Sequence, residues 1–295
     1  MGSWFINYFK DLVSESNLRR ICEGREASAN GICRLRSSLK NREAVWEWAY
    51  EGEIKARGKK PIAGLYSFSR GICLSIEEWL SLLPVPKTTE GISTFQGCQY
   101  DKYVEAKSQS SPDQQCRVKG EQLIWNTLKG VNTMDMWQES QRSLQACMDI
   151  VRIIMVILGI KMSGQTVNSK DTRDKHICQE IYEELCHWGG KKIAREIMMN
   201  WFQIEDESGK VISAWQLPGA DLYEVITHEI AGLGKGDKGT VCRVKISGDS
   251  THGQPPEQYE THGSEWDNLK QEREEEVKQL WQGRLEHEEK GKQRS

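Results

Sequence analysis

Apolar residues recur at three- and four-residue steps along most of the chain up to about residue 230, a spacing typical of amphipathic α-helices. The first such stripe is aromatic and contains Trp4, Phe5, Tyr8, Phe9, Leu12 and Val13. Later stripes predict helices near 32–49, 65–83, 118–128, 137–158, 177–188, 193–201 and 222–230. We therefore predict an all-α fold, a multi-helix bundle of about eight helices with residues 147–160 at its centre.

Three segments interrupt this pattern and suggest the domain boundaries. Residues 84–115 begin with two prolines in three positions and predict a long loop. Residues 246–264 have the Gly, Pro and polar composition of a linker, and residues 265–295 are charged with an apolar edge. The sequence thus predicts a helical domain over 1–245, then the linker, and then a separate charged C-terminal helix over 265–295.

Charge and hydropathy limit the classes of partner. The 295 residues include 40 basic and 43 acidic side chains, a formal net charge of -3, so there is no electrostatic case for nucleic acid. The most apolar stretch, residues 147–160, is too short to cross a bilayer and contains Asp149 and Arg152, so we expect no membrane span. No secretory signal is recognisable at the N-terminus, so the sequence does not fix a localisation.

The chain contains nine cysteines, an odd number. In an oxidising compartment eight could pair, whereas in a reducing cytosol all would stay as small buried apolar residues. We favour the oxidised state because several cysteines fall at predicted helix ends and in loops. Proximity along the chain suggests two pairs, Cys22 with Cys33 and Cys98 with Cys116. Cys147, inside the most apolar helix, is the expected remaining thiol.

Motifs for catalysis, metals and cofactors are weak. Residues 234–239 satisfy G-x-G-x-x-G, but they follow a predicted helix, whereas a dinucleotide-binding loop follows a strand. Four residues of metal-ligating types lie close together, namely His176, Cys178, Cys186 and His187. On one helix these side chains would not converge on a tetrahedral ion, and the chain has no C-x-x-C. We therefore predict no metal, no cofactor and no small-molecule substrate.

Cysteine and tryptophan occur together on successive predicted helices. The clearest segments are ICLSIEEWLSLL at 72–83, LQACMDIVRIIMVILG at 144–159 and HICQEIYEELCHWGGKKIAREIMMNWF at 176–202. This style resembles the large variant-antigen families of malaria parasites. The resemblance implies a parasite protein exported to, or displayed at, the infected red-cell surface, with an adhesive or immune-evasive role, and it identifies no functional residue. A recognisable leader, export motif and membrane anchor are missing, so we expect a partial gene product or one module of a longer protein.

The leading hypothesis is a non-enzymatic, Cys-rich and Trp-rich helical module for protein–protein interaction, with exposed tryptophans as binding hot spots and an unknown partner. One alternative is a cytosolic helical scaffold with all cysteines reduced. The other is an enzyme whose Cys–His site is assembled by the fold, although nine cysteines and six histidines suggest no preferred pair.

Overall fold

The computed structural model describes residues 4–23, 31–36, 60–108, 114–118, 123–128, 134–158, 177–231, 241–246 and 257–262. Its α-helices are α1 (Trp4–Leu12), α2 (Glu15–Ile21), α3 (Lys60–Leu80), α4 (Tyr100–Ser108), α5 (Glu139–Ile157), α6 (Ile177–Gly189), α7 (Lys191–Trp201) and α8 (Leu222–Ala231). Two short 3-10 helices cover Gln114–Cys116 and Trp125–Leu128. Most helices predicted from the apolar spacing are therefore confirmed, although the described part of 118–128 contains a 3-10 helix and no α-helix. The predicted tail and most of 32–49 lie outside the described residues.

The prediction of an all-α fold is wrong, because the described residues also form two three-stranded sheets. The strands are β1 (Lys87–Thr89), β2 (Ile92–Thr94), β3 (Ile204–Glu205), β4 (Trp215–Gln216), β5 (Val241–Ile246) and β6 (Glu257–His262). The first sheet has the order β1-β2-β4 and the second β3-β5-β6, each with one antiparallel and one parallel pair. The first four strands are only two or three residues long, too short for an alternating pattern to show in the sequence.

Both segments that the sequence predicts to lack structure contribute to these elements. The predicted loop 84–115 contains the β1–β2 hairpin, helix α4 and a 3-10 turn. The hairpin turn places Glu90 and Gly91 at φ values of 51° and 82°, a backbone that suits the twist of the flanking strands. Strand β6 lies inside the predicted linker 246–264, where it forms six residue pairs with β5. This pairing carries the folded part of the chain past residue 245.

Helix α5 lies at the centre of the helices, as its apolar composition predicts. Buried residues make up 14 of its 19 positions, and α1, α3 and α6 pack around it. Its last turn is less buried than the apolar run suggests, since Val156 is 51% exposed. The centre of the core therefore lies along residues 141–151, an unbroken run of buried positions in α5.

Helix α1 inserts its aromatic stripe into the same core. Phe5 and Phe9 are completely buried, and the Phe9 ring lies 5.4 Å from Trp125 and 5.8 Å from Trp201 between ring centroids. Both contacts have the edge-to-face geometry that aromatic pairs prefer. The N-terminal helix is thus an integral part of the core.

Helices α6 and α7 meet at Gly190, whose φ of 86° lies in the left-handed region. A positive φ of this kind suits glycine, and the chain ends α6 at Gly189 and begins α7 at Lys191. The reversal lets α6 and α7 pack against each other. It also places Glu196 of α7 beside the turn between α1 and α2, at the edge of the cleft described next.

Candidate functional site

An open cleft of about 590 Å³ lies between the two N-terminal helices and α7. Its lining consists of Tyr8, Asp11, Leu12, Ser14, Ser16, Asn17, Arg20 and Glu196. The volume is in the range of small-molecule sites, and all but one of the lining side chains are polar. Tyr8 and Leu12 belong to the apolar stripe predicted from the sequence. None of the lining residues was predicted to form a site, because a surface turn near residue 14 and one face of α7 meet only in the folded chain.

Side-chain hydrogen bonds hold the turn that forms one wall of the cleft. Ser14 caps α2 by accepting a hydrogen bond from the Asn17 backbone N–H at 3.3 Å, and its hydroxyl donates to the Asp11 carbonyl at 3.0 Å. The Asn17 amide donates to the Leu12 carbonyl at 2.8 Å. Its oxygen accepts a hydrogen bond from Arg20 Nη2 at 2.6 Å. The polar groups of this wall are therefore held in place before any ligand arrives.

The opposite wall contributes the carboxylate of Glu196, an exposed residue at the edge of the cleft. Burial raises the pKa of Glu196, while Lys192 and Arg20 partly offset this effect. Burial also raises the pKa of the Tyr8 hydroxyl, and the nearby Glu196 carboxylate adds to the increase. Within the described residues, neither Glu196 nor Asp11 makes a hydrogen bond or ion pair through its carboxylate. The carboxylates of Asp11 and Glu196 can therefore accept hydrogen bonds from a ligand in the cleft.

An aromatic group supports the cleft from behind. The Tyr8 ring packs on Trp215 at 4.9 Å, and Trp4 packs on the same tryptophan at 5.0 Å, both edge to face. All three side chains are half-buried. Tyr8 therefore belongs both to the cleft and to an aromatic patch on the neighbouring surface, which consists of Trp4, Tyr8 and Trp215.

Four disulfides cross-link the chain: Cys22–Cys33, Cys73–Cys147, Cys98–Cys116 and Cys178–Cys242. The first and third are the two pairs that chain proximity suggests. The prediction that Cys147 remains a thiol is wrong, because packing of α3 on α5 places Cys73 beside it. The cysteine outside the four disulfides is Cys186.

A buried ion pair attaches the segment 31–36 to the core. Arg34 donates a hydrogen bond to the Asp149 carboxylate of α5, and the two side chains are only 12% and 4% exposed. The same carboxylate group accepts hydrogen bonds from Gln145 Nε2 at 2.9 Å and from Trp188 Nε1 at 3.2 Å. The Cys22–Cys33 disulfide, the Trp188 side chain and the Arg34–Asp149 ion pair therefore all lie where this segment meets α5 and α6.

The most deeply buried carboxylate is structural. Glu77 accepts hydrogen bonds from the backbone N–H groups of Ile124 at 2.6 Å, Trp125 at 3.0 Å and Asn126 at 3.2 Å. Burial raises the pKa of Glu77, and these backbone donors lower it in part. Because all of its bonds are to the start of a 3-10 helix, Glu77 fixes that turn against α3.

One polar cluster has the outline of a nucleophile–base pair. The Ser75 hydroxyl accepts a hydrogen bond from Lys107 Nζ at 2.9 Å and donates to Glu229 at 2.7 Å. Lys107 also lies 3.3 Å from Glu78, which accepts from the Tyr103 hydroxyl at 3.0 Å. Ser75 is only 5% exposed, so a substrate could not reach it. The cluster joins α3, α4 and α8.

The other residues with candidate chemistry are separated or lie elsewhere. Cys178 is in a disulfide, while His176 and the glycine-rich 234–239 lie outside the described residues. Cys186 and His187 are neighbours on α6, so their side chains point roughly 100° apart. Among the residues that the structure describes, His, Cys, Asp and Glu form no group of three or more able to hold a metal ion.

The tryptophans divide into buried and surface residues. Trp79, Trp125 and Trp201 are completely buried, so they stabilise the core and are not available to a partner. Trp137 is 48% exposed, and Trp4 is half-buried in the aromatic patch. These two, with Trp215, are the described tryptophans that a partner could contact most easily.

No helix in the described ranges has the length and apolarity needed to cross a bilayer. Comparison with protein-family models, with curated proteins and with solved structures found no match to this chain.

Proposed function

We propose that the chain is a non-enzymatic, disulfide-stapled module for protein–protein contact that works in an oxidising compartment. The observation that supports this most is the set of four disulfides, which close chain separations of 11, 74, 18 and 64 residues. A chain of 295 residues buries enough surface to fold without such bonds. Disulfides in a chain of this size therefore favour an oxidising location over a size-driven need for cross-links.

The contact surface in this proposal is the aromatic patch of Trp4, Tyr8 and Trp215, with Arg20 in the adjacent cleft. Tryptophan, tyrosine and arginine dominate the binding energy of many protein interfaces. The patch is continuous with the buried aromatic core, since Trp4 also packs on Phe95 at 4.3 Å. A rigid backing of this kind lowers the entropy that a surface side chain loses on binding.

The resemblance to malaria variant antigens suits this proposal. A protein displayed at or exported to the infected red cell would meet host proteins outside a reducing cytosol, where disulfides persist. The chain would then act in adhesion or immune evasion as one module of such an antigen. The cytosolic scaffold with reduced cysteines is the main competing proposal.

Counting thiols in protein trapped by alkylation at lysis separates these two proposals. The oxidised module should carry one alkylated cysteine, Cys186, before reduction and nine after it. Nine alkylated cysteines before reduction would support the scaffold. Three or more alkylated cysteines before reduction would contradict the complete set of four disulfides.

A Cys–His enzyme would have to use Cys186, because the other eight cysteines are in disulfides. We expect its half-buried thiol to react slowly with iodoacetamide at neutral pH, because burial raises the pKa of a thiol and lowers its thiolate fraction. The reference is the same thiol after unfolding in denaturant without reductant. Faster labelling in the folded protein would favour the enzyme and contradict the proposal.

A further inference from the structure

The cleft lined by Tyr8, Asp11 and Glu196 is a candidate binding site for a small ligand, independent of any protein partner. It is concave, and it offers both kinds of hydrogen-bonding group. Arg20 and Ser16 can donate, while the carboxylates of Asp11 and Glu196 can only accept when ionised. Neither carboxylate makes a hydrogen bond or ion pair among the described residues, so both are available to a ligand.

The charges in the cleft favour a neutral ligand. An anion would face Asp11 and Glu196, and a cation would face Arg20 together with Lys192, which lies close enough to influence Glu196. An apolar ligand would remove these charged groups from water without replacing their hydrogen bonds, which is costly. A neutral ligand with several hydroxyl groups can donate to the carboxylates and accept from the guanidinium at the same time.

The C–H groups on the faces of such a ligand could also contact the aromatic ring of Tyr8. Tyr8 adds an aromatic ring to the lining, and the ring is held in place by Trp215. Aromatic rings carry partial negative charge on their faces and positive charge at their edges, so they attract the weakly positive C–H groups of a sugar ring. The combination of carboxylates, amide, guanidinium and one aromatic ring matches the alternating polar and apolar surface of a carbohydrate.

We propose that the cleft binds a neutral carbohydrate, whose hydroxyls donate to Asp11 and Glu196 and accept from Arg20. The Asn17 amide orients Arg20 through the 2.6 Å hydrogen bond between them. This binding function is separate from the proposed protein contact, so either could hold without the other.

A glycan array with neutral, sialylated and sulfated sugars tests the proposal on the oxidised full-length protein. We expect binding to neutral glycans, followed by measurement of the dissociation constant for one bound glycan in solution by calorimetry. The isosteric variants Asp11→Asn and Glu196→Gln should each weaken binding about tenfold or more, since each removes a charged acceptor. Glu207→Gln, in an exposed turn away from the cleft, should leave the constant unchanged.

Three results would overturn the proposal. The first is no bound glycan in a preparation whose circular dichroism spectrum shows folded protein. The second is binding that both cleft variants retain at wild-type strength. The third is binding confined to sialylated or sulfated glycans and lost as salt rises from about 0.05 to 0.5 M, which would indicate recognition of charge.

Discussion

Replacing Arg34 by Met removes one partner of the buried ion pair with Asp149. Methionine keeps much of the length and apolar volume of the arginine stem while it removes the guanidinium group. The Asp149 side chain, only 4% exposed, then loses the Arg34 counter-charge. The variant therefore measures how much the core depends on the segment 31–36 for a counter-charge.

The expected magnitude follows from the other partners of Asp149. Removing one member of a buried ion pair costs about 3–5 kcal/mol when the remaining charge is uncompensated. Here Gln145 and Trp188 still donate hydrogen bonds, and Arg152 Nη1 lies 3.8 Å away. We therefore expect Arg34→Met to lower the free energy of unfolding by about 3 kcal/mol, the lower end of that range.

Urea denaturation with the disulfides intact measures this loss, and Arg34→Met/Asp149→Asn completes a double-mutant cycle. The double variant should lose about 1–3 kcal/mol less than the sum of the single losses, since neither charge is left alone. Arg19→Met is the matched control, because its ion pair with Glu15 is 69% and 70% exposed and should contribute less than about 1 kcal/mol. A loss below about 1 kcal/mol for Arg34→Met, or strict additivity in the cycle, would refute the reasoning.

Three other positions test separate parts of the structure. Glu77→Gln removes the charged acceptor of the Trp125 backbone N–H and should cost about 2 kcal/mol in urea denaturation; a cost under about 0.5 kcal/mol would contradict the capping role. Gly31→Ala should lower the melting temperature, because the glycine has a φ of 98° and a Cβ would lie 2.6 Å from the Trp188 carbonyl oxygen; an unchanged temperature would contradict this contact. Burial raises the pKa of Glu196 above 4.5, so its contribution to stability is present at low pH and is lost as pH rises through the raised pKa. Glu196→Gln should therefore become more stable relative to wild type as pH rises from 4.5 to neutral, and a pH-independent difference in unfolding free energy would be evidence against desolvation of this carboxylate.

Long elements and short-range cysteine pairs could be predicted from the sequence. Helix α5 shows its period over 19 residues, and its central place follows from composition. Strands β3 and β4 have two residues each, so no periodic pattern could reveal them. Strand β6 has only one apolar residue, Tyr259, and is stabilised by pairing with β5 and by a hydrogen bond from the Tyr259 N–H to Gln179 on α6.

Contacts between distant parts of the chain explain what the sequence could not show. Cys73–Cys147 and Cys178–Cys242 span 74 and 64 residues, so only the packed fold reveals these pairs. The cleft joins residues near position 14 to Glu196, again through tertiary packing. The one local signal in the cleft was the cap formed by Ser14 before α2, which indicates a helix start and carries no information about a ligand.

The most direct test is a complete disulfide map of the full-length protein, obtained by mass spectrometry after thiol blocking and digestion without reductant. We predict cross-linked peptides joining Cys73 to Cys147 and Cys178 to Cys242, beside the two short-range pairs, with the blocking group on Cys186. Blocked Cys147, or a different partner for Cys178 or Cys242, would contradict the cross-linked fold described above.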